Sequence, residues 1–275
     1  MLGQPRSIGG VVRRGFEVWA RSATTLWGVL VPLALATQIV AAIATITAAP
    51  AGSTAIDGRI YVPANASTGA VNAAHLLGLA LTALIGVLAA GVAVRVFGEA
   101  AAGSTPSGRS ALRFAWARFG GLLWLAILYA AVVAGGSLLL VLPGIYIAIA
   151  CTAAIPVLAA EDKRGLRALR RARELSKGRW WATLGAMAPS WVLAVAGAFV
   201  VTSALRVSGS VTTYALAQAL GGLVIQVLLV PIVTAASVAV YLDLRARREP
   251  LPITGPPLAA VTGPPPPAVR DGWWS

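Results

Sequence analysis

This sequence is poor in the side chains that most often carry out chemistry. It has one histidine, His75, one cysteine, Cys151, and nine acidic residues in a chain of 275. A single cysteine excludes a disulfide within the chain, and one cysteine with one histidine argues against a metal cluster. We therefore expect no catalytic residue, no bound metal and no cofactor.

Charged residues are also missing from long stretches of the chain. Residues 120–160 contain no Asp, Glu, Lys or Arg, and Pro143-Gly144 divides this run into two parts. A membrane-spanning helix needs about 20 apolar residues, so the run predicts two spans joined by a tight turn. Charged residues make up only 11% of the chain, and its mean hydropathy is +0.80. These features predict a polytopic membrane protein.

Six apolar runs predict an all-α bundle of six transmembrane helices within one membrane domain, residues 1–248. Arg95 is the one charged residue inside these runs, and it lies close enough to the end of its helix to snorkel to the headgroups. Internal prolines free backbone carbonyls that neighbouring groups have to satisfy, and these prolines are Pro32, Pro156, Pro189 and Pro231. The predicted spans are residues 24–48, 73–97, 121–141, 145–159, 181–204 and 216–242.

The net charge of +13 falls on one side of this arrangement. One set of loops holds only Asp57, Arg59 and Arg206, while 20 of the 22 basic residues and 8 of the 9 acidic residues belong to the other side. Basic loops stay in the cytoplasm, so both termini are predicted to be cytoplasmic. Arginine outnumbers lysine 20 to 2, which is typical of GC-rich bacterial coding and points to a bacterial plasma membrane.

Three amphipathic segments, residues 7–21, 107–119 and 163–179, are predicted to form cytoplasmic helices in the membrane interface. Each precedes two spans, which suggests a three-fold repeat of one helix plus two spans. Because the basic residues lie next to spans, anionic lipid is the expected ligand and nucleic acid is not an expected partner. The candidate lipid contacts are Arg13, Arg14, Arg164, Arg167, Arg170, Arg171, Lys177 and Arg179.

Aromatic residues are predicted to mark the two membrane boundaries, as in the aromatic belts of other membrane proteins. Tyr61, Tyr146 and Tyr214 are placed at the outer boundary. The inner boundary is marked by Trp19, Trp27, Trp116, Trp124, Trp180 and Trp181.

Four further residues are candidates for structural ion pairs. Glu161 and Asp162 lie where the fourth span meets the most basic segment, so they could cap that helix and pair with its arginines. Asp243 ends the last span beside Arg245 and could hold another inner loop. The alternative, exposed ion pairs worth less than about 1 kcal/mol, stays open. Beyond them, residues 249–275 are rich in proline and are expected to form a disordered cytoplasmic tail.

Several motifs occur in a recognisable order. They are Pro5-Arg6-Ser7-Ile8-Gly9, Phe16-Glu17-Val18-Trp19, Leu142-Pro143-Gly144-Ile145, Ala154-Ile155-Pro156-Val157-Leu158, Ala168-Leu169-Arg170-Arg171-Ala172, Gly178-Arg179-Trp180-Trp181 and Tyr241-Leu242-Asp243-Leu244-Arg245. Together they resemble the membrane domain associated with glycerophosphoryl diester phosphodiesterases, over most of residues 5–249. The resemblance implies a multi-span membrane domain of largely unknown activity. It does not imply the phosphodiesterase reaction, because the soluble catalytic barrel of that family needs histidines and carboxylates that this chain lacks.

These observations favour a non-enzymatic membrane protein of structural or accessory type. Its basic cytoplasmic face would engage anionic lipid, a membrane-protein partner or a second copy of the chain. The alternative is a transporter or permease for a lipid-like or apolar solute, which kinked helices permit. A polar cavity reaching the middle of the membrane would favour transport, and a closely packed bundle would favour the accessory role.

Overall fold

The computed structural model describes residues 8–63, 69–139 and 141–248, and the predicted proline-rich tail lies outside these ranges. Within them the chain forms ten α-helices, one π-helical segment and three short strands. In chain order the elements are α1 (Ile8–Ala48), β1 (Thr54–Ile56), β2 (Arg59–Tyr61), α2 (Gly69–Ala101), α3 (Gly108–Ala117), α4 (Phe119–Leu139), α5 (Val141–Ala150), α6 (Ala154–Glu161), α7 (Leu166–Ser176), α8 (Trp180–Ala204), β3 (Gly209–Ser210), α9 (Val211–Val224), the π-helical segment (Ile225–Leu229) and α10 (Val230–Arg248).

The predicted all-α bundle of six spans is confirmed. Six stretches of helix are long and apolar enough to cross a membrane. They are Gly9–Ala48, His75–Ala101, Phe119–Leu138, Pro143–Glu161, Trp180–Ala204 and Val211–Arg248. The fourth is interrupted between α5 and α6, and the sixth combines α9, the π-helical segment and α10.

The first amphipathic segment is not a separate element. It continues directly into the first span, so that α1 is a single helix of 41 residues. At about 1.5 Å per residue such a helix is roughly 60 Å long, about twice the thickness of a bilayer core. No glycine or proline lies between Gly15 and Gly28 to interrupt it. The other two amphipathic segments form the separate helices α3 and α7.

A left-handed turn separates α6 from α7. Asp162, with φ of 50°, ends α6, and Gly165, with φ of 55°, immediately precedes α7. A Cβ atom on Gly165 would also lie 2.9 Å from Cδ1 of Trp124 on α4. Glycine is needed here both for its backbone conformation and for the space that α4 leaves.

Helix α7 docks on the bundle through its apolar side. Ala168, Leu169, Ala172 and Leu175 are all buried, in the same core cluster as Tyr241 of α10. The apolar side of α7 therefore packs against the protein. The sequence predicts a helix in the membrane interface, whose apolar side would face lipid. The hydrophobic stabilisation of α7 comes from tertiary packing.

Arg95 does not snorkel as the sequence predicts. It is only 6% exposed, and its Nε lies 2.7 Å from Oε1 of Glu99, which is also buried. Its guanidinium carbon lies 5.2 Å from the centre of the Phe114 ring of α3. Glu99 also accepts hydrogen bonds from the backbone N–H of Ser107 at 3.3 Å and the hydroxyl of Ser110 at 3.4 Å. A buried ion pair depends on further hydrogen bonds, and Ser107 and Ser110 at the start of α3 supply such contacts to Glu99.

The predicted aromatic belt is wrong for one pair of rings. Tyr146 and Trp180 are predicted at opposite boundaries, but their rings stack with centres 5.6 Å apart, and Trp180 Nε1 donates to the Tyr146 carbonyl at 3.1 Å. The cause is the break between α5 and α6, which interrupts the fourth span. The hydroxyl of Ser176, at the end of α7, donates to the carbonyl of Ala150 at this break, at 3.0 Å.

A small antiparallel sheet, in the order β2-β1-β3, closes the end of the bundle opposite α7. The Asp57-Gly58 turn between β1 and β2 has positive φ at both residues, 49° and 74°, as a tight hairpin requires. The backbone N–H of Asp57 donates to the hydroxyl of Ser208 at 3.0 Å. The sheet thereby joins the loop after α1 to the loop after α8.

Pro231 has the consequence that the sequence predicts. Because proline has no N–H, Pro231 cannot donate to a carbonyl of the preceding turn, which is the π-helical segment. The indole Nε1 of Trp27 on α1 donates to the Val227 carbonyl in this segment at 3.3 Å. Nearby, Nε2 of Gln38 donates to Oε1 of Gln226 within the π-helical segment, at 3.2 Å. Side chains of α1 therefore satisfy polar groups where the last span departs from α-helical geometry.

We expect Trp27→Phe to lower the free energy of unfolding by about 1 kcal/mol, because it removes the hydrogen bond from the indole to the Val227 carbonyl in an apolar environment. Pro231→Ala restores the missing N–H, so Trp27→Phe should cost less in that background. The measurement is a double-mutant cycle of unfolding free energies in bicelles. Equal costs in the two backgrounds would mean that Trp27 acts through packing alone.

Candidate functional site

Glu161 lies at a junction of three helices. Its Oε2 is 2.9 Å from Nζ of Lys163 and 3.0 Å from Nε of Arg171 on α7, and its Oε1 accepts from the hydroxyl of Tyr241 on α10 at 3.2 Å. The Glu161 side chain is only 9% exposed. Nη1 of Arg245 donates to the same Tyr241 hydroxyl at 3.2 Å. This junction ties α6, α7 and α10 together at the arginine-rich end of the bundle.

The neighbouring Asp162 is more exposed and connects a different helix. Nε of Arg118, just after α3, donates to its Oδ1 at 3.0 Å. The guanidinium of Arg118 also lies over the ring of Phe114, 4.6 Å from its centre. Asp243, predicted to hold another loop, pairs with Arg247 one turn later in its own helix, at 2.7 Å.

The exposed side of the α7 region carries most of the candidate lipid contacts. Six basic side chains are exposed there, and we call them the basic face: Arg164, Arg167, Arg170, Arg173, Lys177 and Arg179. Arg171 differs, because it is 17% exposed and held by Glu161. Arg13 is exposed on α1 beside Glu17, at 3.4 Å. The side chain of Arg14 lies outside the described set.

A groove runs along the C-terminal end of α7, with a volume of about 290 Å³. We call it the basic groove, and it is lined by Tyr146, Arg170, Arg173, Glu174, Ser176, Lys177 and Trp180. Three cationic side chains and one carboxylate give it a net positive charge. Arginine side chains can hold a phosphate through two parallel hydrogen bonds, and stacked aromatic rings are typical of the membrane interface. The groove thus has the chemistry to bind an anionic headgroup.

A second concave feature lies within the bundle, beside the break between α5 and α6. We call it the intrabundle cavity, and its volume is also about 290 Å³. Five of the six candidate spans contribute to it. It is lined by Ala90, Val94, Leu125, Ala126, Tyr129, Cys151, Thr152, Ala154, Ile155, Met187, Trp191, Val233, Thr234 and Ser237.

The helix break supplies the polar part of this cavity. The N–H of Thr152 bonds to Ile149 rather than to Ala148, which leaves the Ala148 carbonyl without its helical donor. The hydroxyls of Tyr129 and Thr152 donate to this carbonyl at 3.3 and 3.1 Å. Two polar side chains therefore stand at the cavity because they satisfy the broken helix.

The sequence pattern did not single out Glu99 or the intrabundle cavity. Glu99 lies two residues beyond the predicted end of the second span, although its position four residues after Arg95 is the spacing of a helical ion pair. The break at residues 151–153 lies just before Pro156, one of the internal prolines, which stands in the first turn of α6. His75 is exposed near the start of α2, and the described residues contain no cluster of potential metal ligands.

Glu161→Ala is expected to lower the thermal stability of the protein in detergent, by about 1–3 kcal/mol in unfolding free energy, because it removes charged hydrogen bonds at a mostly buried site. The control is Glu17→Ala, which removes an exposed i,i+4 pair and should cost under about 1 kcal/mol. Thermal unfolding of both variants gives the comparison. If both variants lose the same small amount of unfolding free energy, Glu161 contributes no more to stability than an exposed ion pair does.

No family model, no curated protein and no solved structure matches this chain. The resemblance to the phosphodiesterase-associated membrane domain therefore stays a prediction that rests on the motifs of the sequence.

Proposed function

We propose that this integral membrane protein is a non-enzymatic accessory protein that binds anionic lipid at its arginine-rich end. The observation that carries the proposal is the basic groove, where Arg170, Arg173 and Lys177 meet the stacked rings of Tyr146 and Trp180. A headgroup phosphate would be held by the cationic side chains while the rings contact the adjoining glycerol and acyl region.

The internal pairing of charges supports this proposal. Two acidic residues of this end are engaged with particular partners, Glu161 with Arg171 and Asp162 with Arg118, whereas Glu174 is exposed in the basic groove. The basic face therefore keeps a surplus of positive charge towards the surroundings. Basic residues near an anionic membrane surface each contribute about 1 kcal/mol of attraction. A phospholipid headgroup is the partner that such a surface meets at the highest local concentration.

The proposal includes an orientation. The loops at the end with the small sheet hold few charges, and the opposite end is arginine-rich, so the rule for basic loops favours a cytoplasmic basic face in a bacterial plasma membrane. In that orientation the basic groove faces the inner leaflet, where anionic lipid headgroups lie.

The second candidate function is transport of a lipid-like or apolar solute, and the intrabundle cavity is the observation that favours it. A cavity among five spans is where a solute would be held in transit. Its lining is mainly apolar, which fits the apolar solute of this alternative better than an ion.

Replacing Arg170 and Arg173 together by glutamine is expected to weaken phosphatidylglycerol binding about tenfold or more, because two headgroup contacts are lost. Native mass spectrometry of the detergent-solubilised protein, titrated with phosphatidylglycerol and with phosphatidylcholine, measures the effect. The control is Arg109→Gln with Arg113→Gln, which removes the same charge from exposed positions on α3.

If phosphatidylglycerol binding weakens equally in the two double variants, the net charge of the protein determines lipid binding and the basic groove is not a specific site. Unchanged binding in both would contradict lipid binding at this end. A protein subunit retained in place of lipid would favour a membrane-protein partner instead.

The orientation can be tested with single introduced cysteines, because Cys151 is the only native one and is buried. Ala51→Cys, in the loop before the sheet, should react with a membrane-impermeant maleimide in intact bacterial cells. Thr105→Cys, in the loop before α3, should react only after the cells are permeabilised. The reverse pattern would overturn the proposed orientation.

A further inference from the structure

We propose that the intrabundle cavity binds a neutral amphiphile, a single hydrocarbon chain that ends in a hydroxyl group. This inference does not rest on lipid binding at the basic groove, which lies on the surface and presents charged residues. The argument uses the lining of the cavity, its size, the direction of its hydrogen bonds and its opening.

The residues that line the cavity disfavour a charged ligand. The described residues that line the cavity are mostly Ala, Val, Leu, Ile and Met, and none of them is charged. Moving an unpaired charge into such surroundings is unfavourable, because no partner replaces its hydration. A phosphate or ammonium headgroup is therefore excluded from this site, whereas a hydrocarbon chain is favoured.

The size fits part of one chain. An apolar cavity of roughly 150 Å³ holds a benzene molecule. The intrabundle cavity, at about 290 Å³, is nearly twice as large. That space accommodates a segment of a single acyl or isoprenoid chain but not the body of a two-chain phospholipid.

The hydroxyl groups of the lining set the chemistry of the polar end. Tyr129 and Thr152 donate to the Ala148 carbonyl, Thr234 donates to Val230 at 3.1 Å, and Ser237 donates to Thr234 at 2.8 Å. The single proton of each hydroxyl is donated to a backbone carbonyl. The hydroxyl oxygen can therefore only accept a hydrogen bond from a ligand. A ligand with an O–H donor can bond to these oxygens, whereas a ligand that only accepts finds no donor among these four hydroxyls.

The opening determines where the ligand comes from. Leu125, Cys151 and Met187 form a buried floor, whereas Tyr129 and Trp191 are partly exposed at the rim. All of these residues belong to candidate spans. The ligand therefore enters from the bilayer, with its hydroxyl end near Tyr129 and Thr152 beside the helix break.

The test is photolabelling of the full-length protein in lipid nanodiscs with a diazirine analogue of dodecanol, followed by peptide mapping. We expect saturable labelling of peptides from α4 and from the α5–α6 break, with competition by unlabelled dodecanol. Dodecyl phosphate, which carries the same chain with a charged end, should not compete. Ala126→Phe, which places a ring at the cavity wall, should weaken the labelling about tenfold or more.

The matched control is Ala130→Phe, one turn further along α4 at an exposed position, and it should leave labelling unchanged. Ala90→Leu fills the cavity from α2 and gives a second, independent block if Ala126→Phe fails to fold. Labelling that does not saturate, that dodecyl phosphate suppresses equally, or that persists in a folded cavity-filling variant would overturn the proposal. Loss of phosphatidylglycerol binding in the groove variants with intact dodecanol labelling would separate the two sites.

Discussion

The structure depends on one constraint: inside a bilayer, each backbone carbonyl that loses its helical donor has to find another within the protein. The last span departs from α-helical geometry before Pro231, and the fourth span is broken at residues 151–153. Trp27 donates to the Val227 carbonyl at the first place, and Tyr129 and Thr152 donate to the Ala148 carbonyl at the second. These donors fix how α1 meets the last span and how α4 meets α5. The intrabundle cavity has polar side chains in its lining because the hydroxyls of Tyr129 and Thr152 donate to the Ala148 carbonyl at the helix break.

The arginine-rich end contains two groups of charged residues, one that holds segments of the fold together and one that stays exposed. Glu161 and Asp162 each engage a basic side chain of another segment, Glu99 pairs with Arg95 of its own helix, and the ring of Phe114 is contacted by the guanidinium groups of Arg95 and Arg118. The outward arginines of α7 take no part in these contacts, so the same helix is anchored on one side and presents positive charge on the other.

The architecture was more predictable from the sequence than the sites were. Apolar runs of span length and the alternating charge of the loops are properties of single segments, so six spans and the amphipathic α7 could be predicted from local sequence. The contact of Tyr146 with Trp180 could not, because Pro156 predicts an interruption of the fourth span but not which residues of other segments then meet α5. The burial of Arg95 also escaped prediction, since it depends on α3 folding back over α2. Cavities are formed by several helices at once, and no single segment contains their pattern.

The small sheet at the opposite end has a consequence for the biosynthesis of the protein. Ser208 follows Asp57 by 151 residues, and β3 completes the edge of β1 only after α8 has been made. During synthesis the edge of β1 that will bind β3 therefore has no partner strand until the intervening helices have been made. The pairing of β3 with β1 requires that the loop after α1 and the loop after α8 lie at the same end of the bundle. The complete sheet can therefore form only after the first five spans have been arranged in that way.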